Sequence, residues 1–340
     1  MSLLKAESPV PNDLGLAIPG DLPFFEVIIV IAFIVHIIFV NILVAGSVNS
    51  VLQEIKGIRT KNIIYDQLAL QFATQVSIFK SIAVVMGVAP LLIISTIYTQ
   101  YFYPSTILIG KMWLLMIPLT IISFLLLYAY KFSWKLLQNK KRLHVSLGIG
   151  GALILLFIPL LFITNVASML QPELWKESRG FFQSLFLYPT IWQRYFHFMA
   201  ASFAVMGMYT YWWGRRKSLK DTDPVYIEAK QFGKKSAFLF TFLQVVAGPV
   251  LLLSMNADVR KAFMGGSLFH TSLLGVSIVL AILLIVILYK LLKSETKKLF
   301  ISALSILLII LLLMSWIRHE VREISLAPYI DQQPRTEQKE

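Results

Sequence analysis

The stretch Phe33-Ile34-Val35-His36-Ile37-Ile38-Phe39 sets one imidazole in the middle of an unbroken apolar run, about twelve residues into a segment spanning 24–48. A run of about twenty apolar residues crosses a ~30 Å hydrocarbon core as a helix, because only a helix satisfies its own backbone there. Seven more such runs follow, at roughly 74–98, 106–130, 145–168, 191–213, 236–256, 268–292 and 299–318. Segments of about ten residues with alternating polarity, the mark of a transmembrane barrel, do not occur. The 340 residues are 57% hydrophobic, and the mean hydropathy of +0.73 excludes a water-soluble domain. The expected fold is an all-α integral membrane protein, a bundle of about eight transmembrane helices. Its expected organisation is a polar segment 1–22, one transmembrane domain 23–319 and a polar tail 320–340.

Orientation follows from the cations, which gather in cytoplasmic loops. Alternate connections at 49–73, 131–144, 214–235 and 289–298 hold nineteen of the thirty-one Lys and Arg residues, whereas 99–105 holds none. Both termini are therefore expected on the outer, periplasmic side. The net charge of +13 is divided among short loops beside spans, which argues against nucleic acid as a partner. Residues 1–22 lack the charged-then-apolar order of a cleavable signal, and the first span is expected to direct insertion itself. With no cysteine, a covalently attached c-type haem, a thiolate-held iron–sulfur cluster and a disulfide are all excluded from this chain. No Walker-type loop supports ATP-driven transport.

An ionisable group inside a membrane is costly and points to function. His36, His197, His270 and His319 lie on four different spans, and imidazole is the commonest axial ligand of haem iron. His197 heads a face formed by Ala200, Ala201, Ala204 and Gly207, small enough for a neighbouring helix or a flat macrocycle to approach. Arg194, three residues earlier, suits either a haem propionate or a snorkelling position at the interface. His144 follows Lys140, Lys141 and Arg142 and reads as an ordinary loop-end residue. Gln244, Gly248 and Pro249 mark a kink or the wall of a quinone pocket. The aromatic segment 170–190 reads as an outer interfacial helix, and 50–72 as a similar segment on the inner face.

Taken in span order, His36, Tyr195-Phe196-His197 and Trp316-Ile317-Arg318-His319-Glu320 resemble subunit I of the cytochrome bd quinol oxidases, or a shortened relative. In that family a first-span His and a fifth-span His bind haem b, and a Trp-x-x-x-Glu pattern supplies a carboxylate ligand. The resemblance implies one or two haems b, with His197 and His270 on one iron and His36, helped by His319 or Glu320, on another. It implies Arg194, Arg318 and Arg322 as partners of the propionates. Membrane lipid and quinone are the implied partners, and the cytoplasmic membrane of a prokaryote the implied location.

Departures from the family pattern shape the functional expectation. Val321-Arg322-Glu323 stands where the family continues Gly-Arg-Gln-Pro-Trp, and His270 stands where it uses Met. The outer loop after the sixth span is about a dozen residues, and the third span lacks buried glutamates. Two nitrogen ligands close an iron to oxygen, so the expected role is a b-type cytochrome subunit of a quinol oxidoreductase complex. It would relay electrons between the quinone pool and an outer-face c-type cytochrome or iron–sulfur subunit. The alternatives are an oxygen-reducing bd-type quinol oxidase subunit and a cofactor-free transporter or assembly factor.

Overall fold

A computed structural model describes residues 8–12, 22–219 and 221–330. Eight long helices carry the architecture: α1 (Leu22–Thr60), α2 (Ile63–Ile97), α3 (Thr99–Phe132), α4 (Lys141–Met169), α6 (Ile191–Ser218), α7 (Pro224–Leu253), α9 (Leu268–Lys293) and α10 (Lys297–Ile330). Two short ones, α5 (Phe181–Leu187) and α8 (Ala257–Lys261), cover one end. No strand occurs among the described residues. Seven of the long helices are long and apolar enough to cross a membrane. The eighth, α6, is diluted by Arg194, His197 and a run of Tyr and Trp, but it is enclosed by its neighbours and buries Ala200, Ala204, Met206 and Tyr211.

Short connections join α1 to α2, α3 to α4, α6 to α7 and α9 to α10, so each of these pairs folds back as a hairpin. The most extensive contacts are α1 with α2, α3 with α4, α6 with α7 and α9 with α10. Helix α1 also touches α4, α6 and α10, which makes it the axis of the bundle. An even number of crossings leaves residue 22 and residue 330 on the same face, the terminal face. The four cation-rich connections lie on the other, the basic face.

Inside lipid, helix association rests on close packing rather than on expulsion of water. Helices α6 and α7 show how close. A Cβ on Gly207 would lie 2.5 Å from the backbone nitrogen of Ala237, and one on Gly233 would lie 2.4 Å from that of Tyr211. The Gly207 end of the small-residue face is therefore helix packing, not space for a macrocycle.

Several boundaries differ from the sequence reading. Segment 50–72 is not an interfacial element: α1 continues to Thr60 and α2 starts at Ile63, capped by Asn62, whose side chain accepts from the amide of Ile64. At about 1.5 Å per residue, the 39 residues of α1 outrun a ~30 Å core, so its last turns stand beyond the hydrocarbon. Helix α10 likewise passes residue 319 and ends at Ile330, burying Val321, Arg322, Ser325 and Leu326; the remainder of the expected tail, 331–340, lies outside the described residues. Helix α7 runs unbroken through Gly248 and Pro249. The interruption falls instead at Gly110 in α3, whose φ of 20° and ψ of −93° leave the helical region between Pro104 and Pro118.

Candidate functional site

The terminal-face turns of α10 place four charged or titratable side chains on one side of the helix. Arg318 and Arg322 are spaced i, i+4, as are His319 and Glu323, and such pairs lie one above the other. The Arg318 guanidinium sits 3.9 Å from the centre of the Phe33 ring of α1, and that of Arg322 sits 4.3 Å from the ring of Tyr98 between α2 and α3. Arg322 also donates to His319 Nδ1 at 3.1 Å. The Tyr98 hydroxyl donates to Glu323. His319 Nε2 lies 3.8 Å from Glu26 of α1, and its Nδ1 lies 3.9 Å from Glu323. A shallow, water-sized pocket opens here, lined by Ile29, Val30, Phe33, Arg318, His319 and Arg322.

This cluster has more positive charge than its own acids balance. None of Arg194, Arg318 and Arg322 has a carboxylate within salt-bridge distance among the described residues. Arg194 contents itself with the Thr190 hydroxyl at 3.0 Å, and the Nε of buried Arg322 has no partner. Leaving guanidinium groups uncompensated in a poorly hydrated region is costly, and planar bidentate recognition of carboxylates is what guanidinium does best.

His36 is held with a defined orientation. Its Nδ1–H donates to the Ala83 carbonyl of α2 at 2.9 Å, and a carbonyl can only accept, so the proton sits on Nδ1. Nε2 therefore keeps its lone pair, the arrangement that metal-ligating histidines use. One turn along α2, Gly87 gives the ring its room: a Cβ there would lie 2.7 Å from His36 Cε1. Arg318 stacks on Phe33, one turn before His36 on the same face of α1, which places the ring beside the arginine cluster. His197, on α6 one turn after Arg194, leaves Nδ1 buried and without a partner among the described residues.

His270 and Glu320 depart from the expected pairings. His270 Nε2 lies 3.0 Å from Glu320 Oε2, and its Nδ1 lies 2.8 Å from the Ser267 hydroxyl. Both ring nitrogens are engaged, so His270 is not presented as a free ligand for an iron shared with His197. Glu320 is not the helper of His319 either, because consecutive residues point about 100° apart around a helix. It faces α9 while His319 faces α1.

His144 is a plain correction. It stands in the first turn of α4, beside the loop, but is wholly buried, with Nδ1 2.7 Å from Glu54 and Nε2 2.7 Å from the Tyr130 carbonyl. The adjacent Lys and Arg residues masked it; the signal that could have found it is Glu54, which with Asp66 is one of two acids in an otherwise basic connection. Lys80 was also passed over, buried in α2 with its ammonium 3.5 Å from the centre of the Tyr128 ring.

Among the described residues no group of three His, Cys, Asp or Glu could hold a bare metal ion. An iron carried by a porphyrin asks only one or two ligands of the protein. An imidazole with a free Nε2, a second with an orphaned nitrogen, and three guanidinium groups without acids fit a flat, doubly anionic, iron-carrying group such as haem.

No family model matches this chain, and no curated protein matches it. Six chains of solved structures do. One comes from the bd oxidase of Geobacillus thermodenitrificans, with a TM-score of 0.68 over 90% of this chain and 88% of that one, at 15% identity. The chain thus resembles a bd-type subunit and shares its fold, an all-helical multi-pass membrane bundle.

Proposed function

We propose that this chain is the haem b-bearing membrane subunit of a bd-type quinol oxidoreductase. The observation that carries the reading is His36, a mid-span imidazole pinned through Nδ1 so that Nε2 is free, beside an arginine cluster lacking counter-ions. Haem b bound there supplies one-electron redox chemistry in a low-dielectric interior. His36 and His197 would provide nitrogen ligands, and Arg194, Arg318 and Arg322 would neutralise propionates. Glu26, His319 and Glu323 would hold protons at the terminal face, where quinol oxidation must release them. Membrane lipid and quinone are the partners of this reading, and the cytoplasmic membrane of a prokaryote is its location.

The shared fold favours the oxidase form of this proposal over a pure electron relay, and the 3.0 Å contact of His270 with Glu320 counts against the two-histidine closure that the relay invokes. One observation still favours a relay passing electrons to an outer-face c-type cytochrome or iron–sulfur subunit. Helix α3 contains no Asp or Glu, so it offers no carboxylate to deliver protons to bound oxygen.

A pyridine haemochrome measurement on the purified protein tests the proposal: one or two haems b per chain are expected, and none would overturn it. Carbon monoxide added to the reduced protein then separates the two forms. A spectral shift identifies an open iron and the oxidase; an unchanged spectrum identifies the relay.

A further inference from the structure

On the opposite face from the arginine cluster, four helices bring together a second set of titratable groups that the proposed site does not use. Glu54 of α1 and His144 of α4 are both wholly buried. Lys141, at the start of α4, reaches Glu54 at 3.2 Å and Asp66 of α2 at 2.5 Å. The Trp134 indole N–H also donates to Asp66 at 3.1 Å. The side chains of Lys141 and Asp66 keep 26% and 19% of their surface exposed, so the buried pair has a polar connection to water.

Hydrogen-bond logic fixes what the pair holds. The Tyr130 carbonyl accepts at His144 Nε2, so that nitrogen carries a proton in every state. Nδ1 and Glu54 Oε1 are 2.7 Å apart, and two lone pairs do not approach so closely without repulsion. One proton therefore lies between them, on Nδ1 with a carboxylate opposite or on Oε1 with a neutral ring opposite. Moving it from oxygen to nitrogen creates an imidazolium and a carboxylate, and no net charge changes. Glu54 Oε2 is buried and has no hydrogen-bond partner among the described residues, so it is free to take a second proton. Beyond it, α1 continues as a buried polar stripe. Ser50 donates to the Ala69 carbonyl at 2.8 Å and lies 3.3 Å from the Tyr130 hydroxyl. Gln53 Oε1 and Asn49 Nδ2 are unpartnered. A purely structural ion pair would satisfy these atoms, since an unsatisfied buried polar group is destabilising.

We propose that Glu54 and His144 form a proton-exchange site on the basic face, loaded from water through Asp66 and Lys141. In one concerted exchange the Lys141 ammonium passes a proton to Glu54 and takes one from a protonated Asp66, which hydronium in the surrounding water reloads, so the lysine stays charged and the site gains one proton and one positive charge. The site stands on this geometry alone and does not depend on haem being bound at the other face.

Infrared difference spectroscopy of the full chain in lipid nanodiscs, stepped between acid and alkaline pH, tests it. Wild-type protein should show carboxyl and imidazole bands that change together, and Glu54→Gln should abolish both while Glu54→Asp restores them. Should Glu54→Gln fail to fold, transfer of wild-type protein into D2O gives an independent readout. The carboxyl band should shift within the mixing time, and at least tenfold more slowly in Lys141→Met. Bands that do not move with pH, bands that survive Glu54→Gln in folded protein, or exchange unaffected by Lys141→Met would each overturn the assignment.

Discussion

His36 shows how much one side chain depends on the residue opposite it. Its ring is fixed by the Ala83 carbonyl and given space by Gly87. Gly87→Ala adds a methyl 2.7 Å from Cε1, closer than carbon atoms approach, and the tethered ring must yield. The helix itself gains from the exchange, roughly 1 kcal/mol of propensity. Gly87→Ala should therefore remain folded while altering the haem absorbance, and His36→Ala should remove the corresponding signal. Spectra and thermal stability measured on the same preparations check this; unaltered spectra in both variants would remove His36 from the site. The sequence exposed His36 because an imidazole in an apolar run stands out. It hid His144 because the same residue type beside three cations looks ordinary, and only packing against Glu54 distinguishes it. The partners of His270 were equally hidden, since a one-residue step around α10 decides whether Glu320 or His319 meets a given neighbour.

At the scale of helices, spacing was more legible than length. The eight segments found from hydropathy are the eight long helices, but several run further than the apolar windows. Helix α1 continues after the window closes because Gln53 and Glu54 turn into the protein and not toward water. Hydropathy has no means of recognising a buried acid, so it ends the segment there. Helix α10 is extended for the same reason by Arg322 and its neighbours. The α6–α7 contact gives a direct test of packing. Gly233→Ala would press a methyl against the backbone of α6, where no side chain can rotate away. Overpacking of this kind costs about 1–3 kcal/mol, more than the propensity gained. Gly248→Ala, with nothing within 4 Å, is the matched control. The half-life at elevated temperature should shorten for Gly233→Ala and not for Gly248→Ala; equal half-lives would mean the helices are not in backbone contact.

For the whole molecule, the question is what ties the α6–α7 hairpin to α9 and α10 at the basic face. Glu295, in the turn between α9 and α10, receives hydrogen bonds from Lys234 at 2.6 Å and Lys230 at 3.0 Å, both on α7. Its backbone carbonyl accepts from Arg215 of α6 at 3.3 Å. Burial pushes the carboxyl upward, but the two ammonium groups outweigh it and hold the pKa below the ordinary carboxylate value. A carboxyl whose folded pKa is depressed stabilises the fold above its unfolded pKa. That contribution is lost as the pH falls through the folded value. Acidification from neutrality into the carboxylate range should therefore loosen this tie, with salt weakening it further because the cluster is partly exposed. Glu295→Gln removes the titrating group and should flatten the acid limb of stability against pH while lowering stability at neutral pH. Thermal unfolding at a series of pH values checks both effects. A variant with the wild-type acid limb would show that Glu295 does not control the joining of the hairpins.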